Sequence, residues 1–414
     1  MLRGLTGILG NVRIEKMVEF ASGDACAPKK RGPLIVFEGL DRSGKSTQAK
    51  KIVETLNAKG LRAVYSPFPA PVTGQIINHH LQTSKSPLDR KEAIHFIFSQ
   101  NRWEKIDGLL DHLNDGGIVI LDRYVASGVS YTIAKGLPKW FTCAADIGLP
   151  QPDYVVYLDV SPEVAQTRGN YGDEAFEKAD FQAAVRNEME EFRKHPTWKT
   201  INANQTQEAV HNDVKKLIFE LIGKEVPERL TYIERAYFGS DSINTHFSPE
   251  EFEFACKRGH LLTFDGNDAE DLAQSFSKIV DAGAEIVELA CATDNLSLRE
   301  RALSITTYFW DQHEEILKKL AQGTNIILLN YVPTFVKELS KEVNDKRWVA
   351  SLFYGLPQPD FIVTTDPSIK ETAEKNGWIV PQSSEKETIL EEIRSVINND
   401  PGSLKRFAPH NLTV

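Results

Sequence analysis

Residues 39–46 read GLDRSGKS, which is the complete G-x-x-x-x-G-K-S pattern of a phosphate-binding loop. A glycine at each end lets the backbone curl until several N–H groups point at one polyphosphate. Lys45 can then reach the β- and γ-phosphates as a point charge, and the Ser46 hydroxyl is placed to hold Mg²⁺. The pattern therefore predicts a site for nucleotide phosphates. Its predicted phosphate contacts are Gly39, Leu40, Asp41, Arg42, Ser43, Gly44, Lys45, Ser46 and Thr47.

The segments around this loop occur in the order that such a site needs. An apolar, strand-like run (residues 34–37, LIVF) precedes the loop, and helix-forming residues (47–56) follow it. The phosphates would lie at a helix N-terminus, where unpaired N–H groups already favour an anion. Short apolar runs alternate with helical segments along the rest of the chain, which indicates βαβ units and a parallel sheet covered on both faces.

Composition restricts the class of protein. With 414 residues, the chain is long enough for two or three domains of roughly 150 residues each. Hydrophobic residues at 41% and charged residues at 26% are typical of a soluble globular protein, and no apolar run approaches the roughly 20 residues of a membrane span. A net charge of −10 argues against a nucleic-acid surface. We expect small-molecule partners, with no nucleic acid and no membrane.

The cysteines and the first residues bear on the compartment. Four cysteines lie far apart with no C-x-x-C pair, so neither a zinc site nor a disulfide framework is indicated. A reducing compartment, the cytoplasm or also the nucleus, is expected. Residues 1–30 are expected to form a disordered leader, although Arg3, Arg13 and Lys16 leave mitochondrial targeting open, and Met17 is an alternative start.

The hexapeptide GLPQPD occurs twice, at residues 148–153 and 355–360, each time before an apolar run. The same comparison sets residues 117–122 (GIVILD) opposite 325–330 (NIILLN), and Arg102 opposite Phe309. Two copies of one fold explain these matches better than chance does.

The second copy has lost the chemical groups of the loop. Asp271, Leu272 and Ala273 stand where residues 44–46 (GKS) stand in the first copy. A carboxylate at this point puts negative charge where a polyphosphate must lie. We therefore interpret the second copy as degenerate. The predicted organisation is a leader (1–30), a P-loop domain (31–222), a linker (223–231), a degenerate domain (232–398) and a tail (399–414).

Residues 31 to about 222 resemble thymidylate kinase, in particular its eukaryotic form. Four motifs in order carry the resemblance: residues 38–47 (EGLDRSGKST), 98–103 (FSQNRW), 122–129 (DRYVASGV) and 148–153 (GLPQPD). The resemblance implies a P-loop NTPase-type parallel sheet flanked by helices, here present twice in tandem. It also implies ATP- and Mg²⁺-dependent phosphorylation of dTMP to dTDP, a step of dTTP biosynthesis.

The resemblance also implies roles for single residues. It assigns catalysis to Asp41, Arg42, Lys45 and Arg123, and the metal to Ser46 and Asp122. A flexible lid is expected over residues 168–177, with Arg168 as a further phosphate contact. The residues implied for dTMP are Phe98, Arg102, Arg123, Gly128, Tyr131 and Phe176.

Three residues expected from the family pattern are missing: an arginine at Ala70-Pro71, and the arginine and the tyrosine of the lid, where Ala175 and Phe176 stand. Ala70 and Pro71 follow Phe68-Pro69, where an arginine that grips the acceptor phosphate is expected, and the lid reads EAFE (174–177) where the family has ERYE. A lost charge-assisted hydrogen bond costs about 1.5–3 kcal/mol, so weak activity is one expectation. Kinases of dUMP or UMP, or a nucleotide-binding pseudokinase, stay open as alternatives. The family forms homodimers, which leaves either a homodimer or an intrachain pseudo-dimer.

Overall fold

The structure is a computed structural model that describes most of the chain outside its first 29 residues. The described residues are 30–83, 91–168, 178–224, 226–238, 257–266, 269–277, 284–288, 296–342, 346–364, 366–375, 378–383, 385–399, 404–405 and 407. The predicted leader, except Lys30, and the predicted lid beyond Arg168 lie outside these ranges. We refer to the described residues up to 238 as the first unit and to those from 257 onward as the second unit.

The first unit is built on a five-stranded parallel sheet with the strand order β2-β3-β1-β4-β5. Its strands are β1 (Leu34–Glu38), β2 (Ala63–Pro67), β3 (Ile118–Asp122), β4 (Tyr154–Asp159) and β5 (Trp198–Asn202). Its helices are α1 (Lys45–Ala58), α2 (Pro71–Thr83), α3 (Lys91–Trp103), α4 (Ile106–Asn114), α5 (Val125–Ala134), α6 (Lys139–Ala144), α7 (Pro162–Thr167), α8 (Ala179–Arg193) and α9 (Gln207–Ile222). The central strands β1 and β3 are buried throughout, because helices cover both faces of the sheet.

The second unit contains a four-stranded parallel sheet with the order β7-β8-β6-β9. Its strands are β6 (Leu261–Asp265), β7 (Ala284–Glu288), β8 (Asn325–Leu329) and β9 (Phe361–Thr364). Its helices are α10 (Ala269–Ser277), α11 (Leu298–Ala321), α12 (Val332–Glu342), α13 (Lys346–Leu352), α14 (Pro367–Lys375) and α15 (Lys386–Ile397). In each sheet the first strand of the unit lies between the third and the fourth. The predicted α/β class, with parallel sheets flanked by helices, is confirmed.

Each unit contains a buried ion pair at the corresponding place. Arg31 binds Asp153, the last residue of the first hexapeptide, at 2.7 and 2.8 Å, and Asp153 also accepts a hydrogen bond from the Leu34 amide. Arg258 binds Asp360 at 2.8 Å in the second unit. Removing one partner of such a buried pair typically costs about 3–5 kcal/mol, so each pair fixes its hexapeptide to its first strand.

In each unit, a segment downstream of the sheet docks on the hexapeptide in the same way. The Gly148 amide donates to the Ile233 carbonyl, and the Ile233 amide donates to the Leu149 carbonyl, both at 2.8 Å. Phe407 makes the same two bonds in the second unit, at 2.9 Å. The chain just after the predicted linker therefore packs on the first unit, and part of the predicted tail packs on the second unit.

The strand register corrects one detail of the sequence comparison. Phe37 pairs with Asp122 in the first sheet, and Phe264 pairs with Leu329 in the second. Leu329, not Asn330, is therefore the counterpart of Asp122. Asn330 corresponds instead to Arg123, and both have a positive φ, 53° and 67°. The apolar run alone does not fix this register, since a shift of one residue leaves its hydrophobic pattern nearly unchanged.

The units pack against each other through helices. Helix α11 lies against α3, and α13 lies against α6. Phe96 and Phe141 of the first unit belong to the same hydrophobic cluster as Trp310 and Phe353 of the second. The Phe141 and Trp310 rings meet edge to face with their centroids 5.3 Å apart. Within the described ranges, no helix has the length and apolar character needed to cross a membrane.

Asp265, at the end of β6, gives a prediction about stability and pH. Its carboxylate is buried and accepts hydrogen bonds from the Tyr331 amide and from the Thr263 and Thr334 hydroxyls. Burial raises its pKa from 3.8 to about 6, against the lowering effect of these hydrogen bonds. The folded state therefore holds this proton more tightly than the unfolded state, and its contribution to stability is lost as the pH rises from about 4 to about 6.

We expect the free energy of unfolding of Asp265→Asn, relative to that of wild type, to be higher at pH 7.5 than at pH 4. The difference should reach up to about 3 kcal/mol for a pKa shift of this size. Urea unfolding at both pH values measures the difference. Glu270→Gln, at an exposed carboxylate on α10, serves as the control and should show no such change. An equal difference between Asp265→Asn and wild type at the two pH values would contradict the assignment.

Candidate active site

A cavity of about 760 Å³ lies between the phosphate-binding loop and the residues of α2, α3 and α5. It opens where β1 and β3 end, and ligands of open parallel sheets bind at this edge. The predicted residues that line it are Asp41, Arg42, Ser43, Gly44, Lys45, Ser46, Thr47, Phe98, Arg102, Arg123, Gly128, Tyr131 and Arg168. Gly39, Leu40 and Asp122 are not in its wall, and Phe176 lies outside the described residues.

The loop has the backbone geometry that its sequence predicts. Gly39 and Gly44 have φ values of 143° and 97°, a region that side chains disfavour. A Cβ atom at Gly39 would lie 2.7 Å from the Leu158 carbonyl oxygen. Helix α1 begins at Lys45, so its first N–H groups face the cavity side of the loop.

Lys45 is held inside the loop. Its Nζ donates to the Leu40 carbonyl at 2.5 Å and to the Ser43 hydroxyl at 3.2 Å, and the side chain is only 5% exposed. Burial, together with the positive charge of Arg123, lowers the pKa of Lys45 to about 8. A phosphate could replace these two neutral acceptors and would restore the full charge of the ammonium group.

Asp41 is the centre of a polar network that joins three elements. Its carboxylate binds the Arg123 guanidinium and accepts hydrogen bonds from the Tyr131 hydroxyl (2.8 Å) and from Gln182 Nε2 (2.7 Å). Burial alone would raise the pKa of Asp41, but the charges of Arg123 and Lys45 lower it below its ordinary value. Asp41 is therefore ionised, and it holds Arg123 at the boundary between the loop and the rest of the cavity.

Two residues of this region were missed by sequence reasoning. Gln182 reaches Asp41 from α8, and nothing in its sequence context indicates this contact. Glu38 ends β1 and is 1% exposed; it accepts hydrogen bonds from the Tyr124 and Ser127 amides and from the Ser127 hydroxyl. These bonds fix the turn that carries Arg123, and an acidic residue at the end of a buried strand was the available signal.

The two predicted metal residues are joined through a tyrosine. The Tyr65 hydroxyl donates to Asp122 at 2.9 Å and is also hydrogen-bonded to Ser46. Where the structure describes the chain, no cluster of three or more His, Cys, Asp or Glu side chains could hold a metal. Mg²⁺ on nucleotides typically takes one or two protein oxygens besides phosphates and water, so a hydroxyl and a carboxylate fit it.

The far half of the cavity is lined by α3 and α5. Phe98 is half-buried there, and Arg102 is 4% exposed and binds Asp146 with contacts of 2.6 to 3.0 Å. Asp146 was not among the predicted residues, yet it is fully buried and fixes the guanidinium of Arg102. A Cβ atom at Gly128 would lie 2.7 Å from Arg102 Nη1, so Gly128 leaves space for this guanidinium.

The segment that lacks the expected arginine is firmly held. Asn101 accepts from the Ala70 amide at 2.7 Å and donates to the Ala70 carbonyl at 3.1 Å and to the Thr73 hydroxyl at 2.8 Å. Pro71 then begins α2. At the other end of the cavity, Arg168 donates to the carbonyls of Arg42 (2.6 Å) and Ala203 (2.5 Å), which places it against the phosphate-binding loop.

A phosphate-binding loop at the carboxyl ends of a parallel sheet, with further arginines in the wall of the cavity that it opens into, defines a P-loop kinase of nucleoside monophosphates. A family model for thymidylate kinase matches residues 37–214. A thymidylate kinase of Caenorhabditis elegans is 43% identical over 211 residues, which cover 48% of this chain and 95% of the relative. The human thymidylate kinase is 39% identical over 193 residues, covering 45% of this chain and 90% of the relative. A solved thymidylate kinase from Candida albicans is 32% identical, with a TM-score of 0.45 over 49% of this chain and 99% of that one.

The chain belongs to the thymidylate kinase family, and its first unit is an enzyme of the nucleoside-monophosphate kinase type. The matched residues 37–214 include all the predicted site residues, and they leave the second unit outside the family match.

Gly128 gives a test of the packing around Arg102. We expect Gly128→Ala to lower the free energy of unfolding by up to about 2 kcal/mol, because the added methyl group must displace a guanidinium that Asp146 holds in place, at a cost of about 1–3 kcal/mol. That cost exceeds the gain of about 0.5–1 kcal/mol from replacing a helical glycine. Urea unfolding measures it. Gly108→Ala, in α4 with no atom within 4 Å of its Cβ position, should be stabilising; two stabilised variants would refute the packing argument.

Proposed function

We propose that the first unit transfers the γ-phosphoryl group of ATP to dTMP and releases dTDP and ADP. The observation that carries this proposal is the continuity of the cavity. Its loop end contains Lys45 and the helix N-terminus, and its far end contains Phe98 and Arg102, with Asp41 and Arg123 between them. One phosphate group from each of two nucleotides can therefore meet at the Asp41–Arg123 pair.

The residues of this cavity can meet the main demand of phosphoryl transfer, which is to position the reactants and cancel negative charge. Lys45 and Arg42 would bind the donor phosphates, and Arg123 would bind the acceptor phosphate. Asp41 would orient Arg123 and keep it from binding the donor phosphates instead. Ser46 and Asp122 would hold Mg²⁺, which offsets phosphate charge when it is bound.

The aromatic and basic residues of the far half favour a flat base. Phe98 can stack on the base, and Arg102 can reach its edge with donors left free by Asp146, since a guanidinium has five. Tyr131 closes the side of the pocket next to Asp41. Phe176 stays a predicted contact in the lid. The names of the curated relatives support thymidylate as the acceptor.

We further propose that the second unit is a degenerate, catalytically inert copy of the first. Its shared strand order, its ion pair and its docked downstream segment support a duplication. Helix α10 begins at Ala269, so the residues that correspond to 42–44 are helical, unlike the same residues of the loop in the first unit. Phe309 and Phe353, with ring centroids 5.9 Å apart, occupy the positions of Arg102 and Asp146.

The packing of α11 on α3 supports the intrachain form of the predicted pseudo-dimer. In this proposal the second unit covers the helix face that a second subunit would otherwise contact. An apolar cluster with members from both units favours a permanent association.

One observation favours a different outcome. Ala70 and Pro71 stand where the family pattern has an arginine for the acceptor phosphate, and Asn101 holds the backbone of Ala70 at both its amide and its carbonyl. A kinase for dUMP or UMP, or a nucleotide-binding pseudokinase, therefore stays as the second candidate function.

The direct test is to incubate the full chain with ATP and Mg²⁺ and to follow dTDP and ADP formation from dTMP, with dUMP and UMP as competing acceptors. We expect turnover with dTMP, and a loss of at least about 100-fold in Lys45→Met, because a central phosphate-binding charge is removed. Leu272→Met, the matched position in the second unit, should leave turnover unchanged. ATP binding without turnover on any acceptor would identify a pseudokinase instead.

The lowered pKa of Lys45 predicts proton uptake when ATP binds. At pH 8.5 the free enzyme is partly deprotonated at Lys45, and the phosphate charge raises the pKa again, so binding takes up part of one proton. The affinity for ATP should then fall by up to about tenfold per pH unit above pH 8. Calorimetry in two buffers of different ionisation enthalpy measures the uptake. Lys45→Arg, which stays charged, should show none; equal uptake in both proteins would exclude Lys45 as its source.

A further inference from the structure

Arg299 of the second unit contacts the first unit near the far half of the cavity, which is the proposed acceptor site. The guanidinium of Arg299, in the first turn of α11, lies 4.6 Å from the ring centre of Trp103 and 4.3 Å from that of Trp348. Its Nη1 donates to the Ile147 carbonyl at 3.0 Å. A Cβ atom at Gly148 would lie 2.8 Å from Arg299 Nη2, so the backbone of the first unit approaches the guanidinium very closely.

The segment that Arg299 binds also carries Asp146. The Ala145 carbonyl accepts from the Ser99 hydroxyl (3.0 Å) and from Trp103 Nε1 (3.2 Å), and Asp146 accepts from Ser99 (2.6 Å). Arg299 holds the next carbonyl, that of Ile147. Three consecutive residues are therefore fixed by groups from α3 and α11 together.

The position of Asp146 decides the position of Arg102. Both side chains are almost completely buried, and a buried ion pair is favourable only when its geometry is close to ideal. Arg102 lines the cavity, while Trp103, the next residue of α3, faces Arg299. A small shift of the Asp146 segment would thus be transmitted to the wall of the cavity without any contact between the second unit and a nucleotide.

We propose that Arg299 is a positioning residue for the acceptor site, and that the second unit sets the geometry of this site through the Ile147 carbonyl, Asp146 and Arg102. This inference rests on the proposed phosphorylation of dTMP. It gives the second unit a role in the reaction even though that unit has lost its own phosphate-binding loop.

The test compares two variants of the full chain. Arg299→Met keeps an apolar stem between the two indoles but loses the charge and the hydrogen bond. We expect it to raise KM for dTMP about tenfold, the size expected for one lost charge-assisted hydrogen bond, and to change KM for ATP less than about twofold. Arg299→Lys keeps the charge between the indoles and should recover most of the loss, to within about threefold of wild type.

Arg301→Met is the matched control, because Arg301 lies two residues further on the same helix and binds Glu342 within the second unit. It should leave both KM values unchanged. If Arg299→Met does not fold, Arg299→Lys carries the test, with an expected rise of about threefold in KM for dTMP alone. Equal changes in the two KM values, or no change, would overturn the proposed role of Arg299. Absence of dTMP turnover in the wild type would instead overturn the proposed function.

Discussion

The site depends on one constraint, which is that several cations must be buried beside a single cavity. A buried ammonium or guanidinium group is costly unless it is paired and hydrogen-bonded. The first unit meets this condition at two of its arginines with a carboxylate, since Asp41 holds Arg123 and Asp146 holds Arg102. Lys45 has neutral acceptors in direct contact, and burial together with the positive charge of Arg123 lowers its pKa.

The second unit has a parallel sheet of similar strand order without that constraint. Where the first unit buries Arg102 and Asp146, the second buries Phe309 and Phe353. Replacing a buried ion pair with well-packed apolar groups is often neutral or stabilising, so such a change does not threaten the fold. Asp265 ends β6 as Glu38 ends β1, and both carboxylates accept hydrogen bonds from the turn that follows the neighbouring strand.

Structure and function are connected through α3. One side of this helix lines the cavity with Phe98 and Arg102. Helix α11 and the segment around Asp146 pack against the same helix. Because a packed interior has few voids, a displacement at the interface between the units cannot be absorbed locally. The positioning role proposed for Arg299 depends on this tight packing between the units.

The sequence by itself determined the features that depend on residues close together in the chain. The phosphate-binding loop and the alternation of strands and helices depend on local spacing and period, and the repeated hexapeptide predicted two related parts of the chain. Tertiary structure alone decided the pairs that join distant segments, such as Gln182 with Asp41, Asp146 with Arg102, and Arg299 with Ile147. Such contacts depend on how helices pack on the sheet, and hydrophobic pattern does not encode that geometry. The same reason explains the register error at Asn330, since an apolar strand reads almost the same when it is shifted by one residue, and only its hydrogen-bonded partner fixes it.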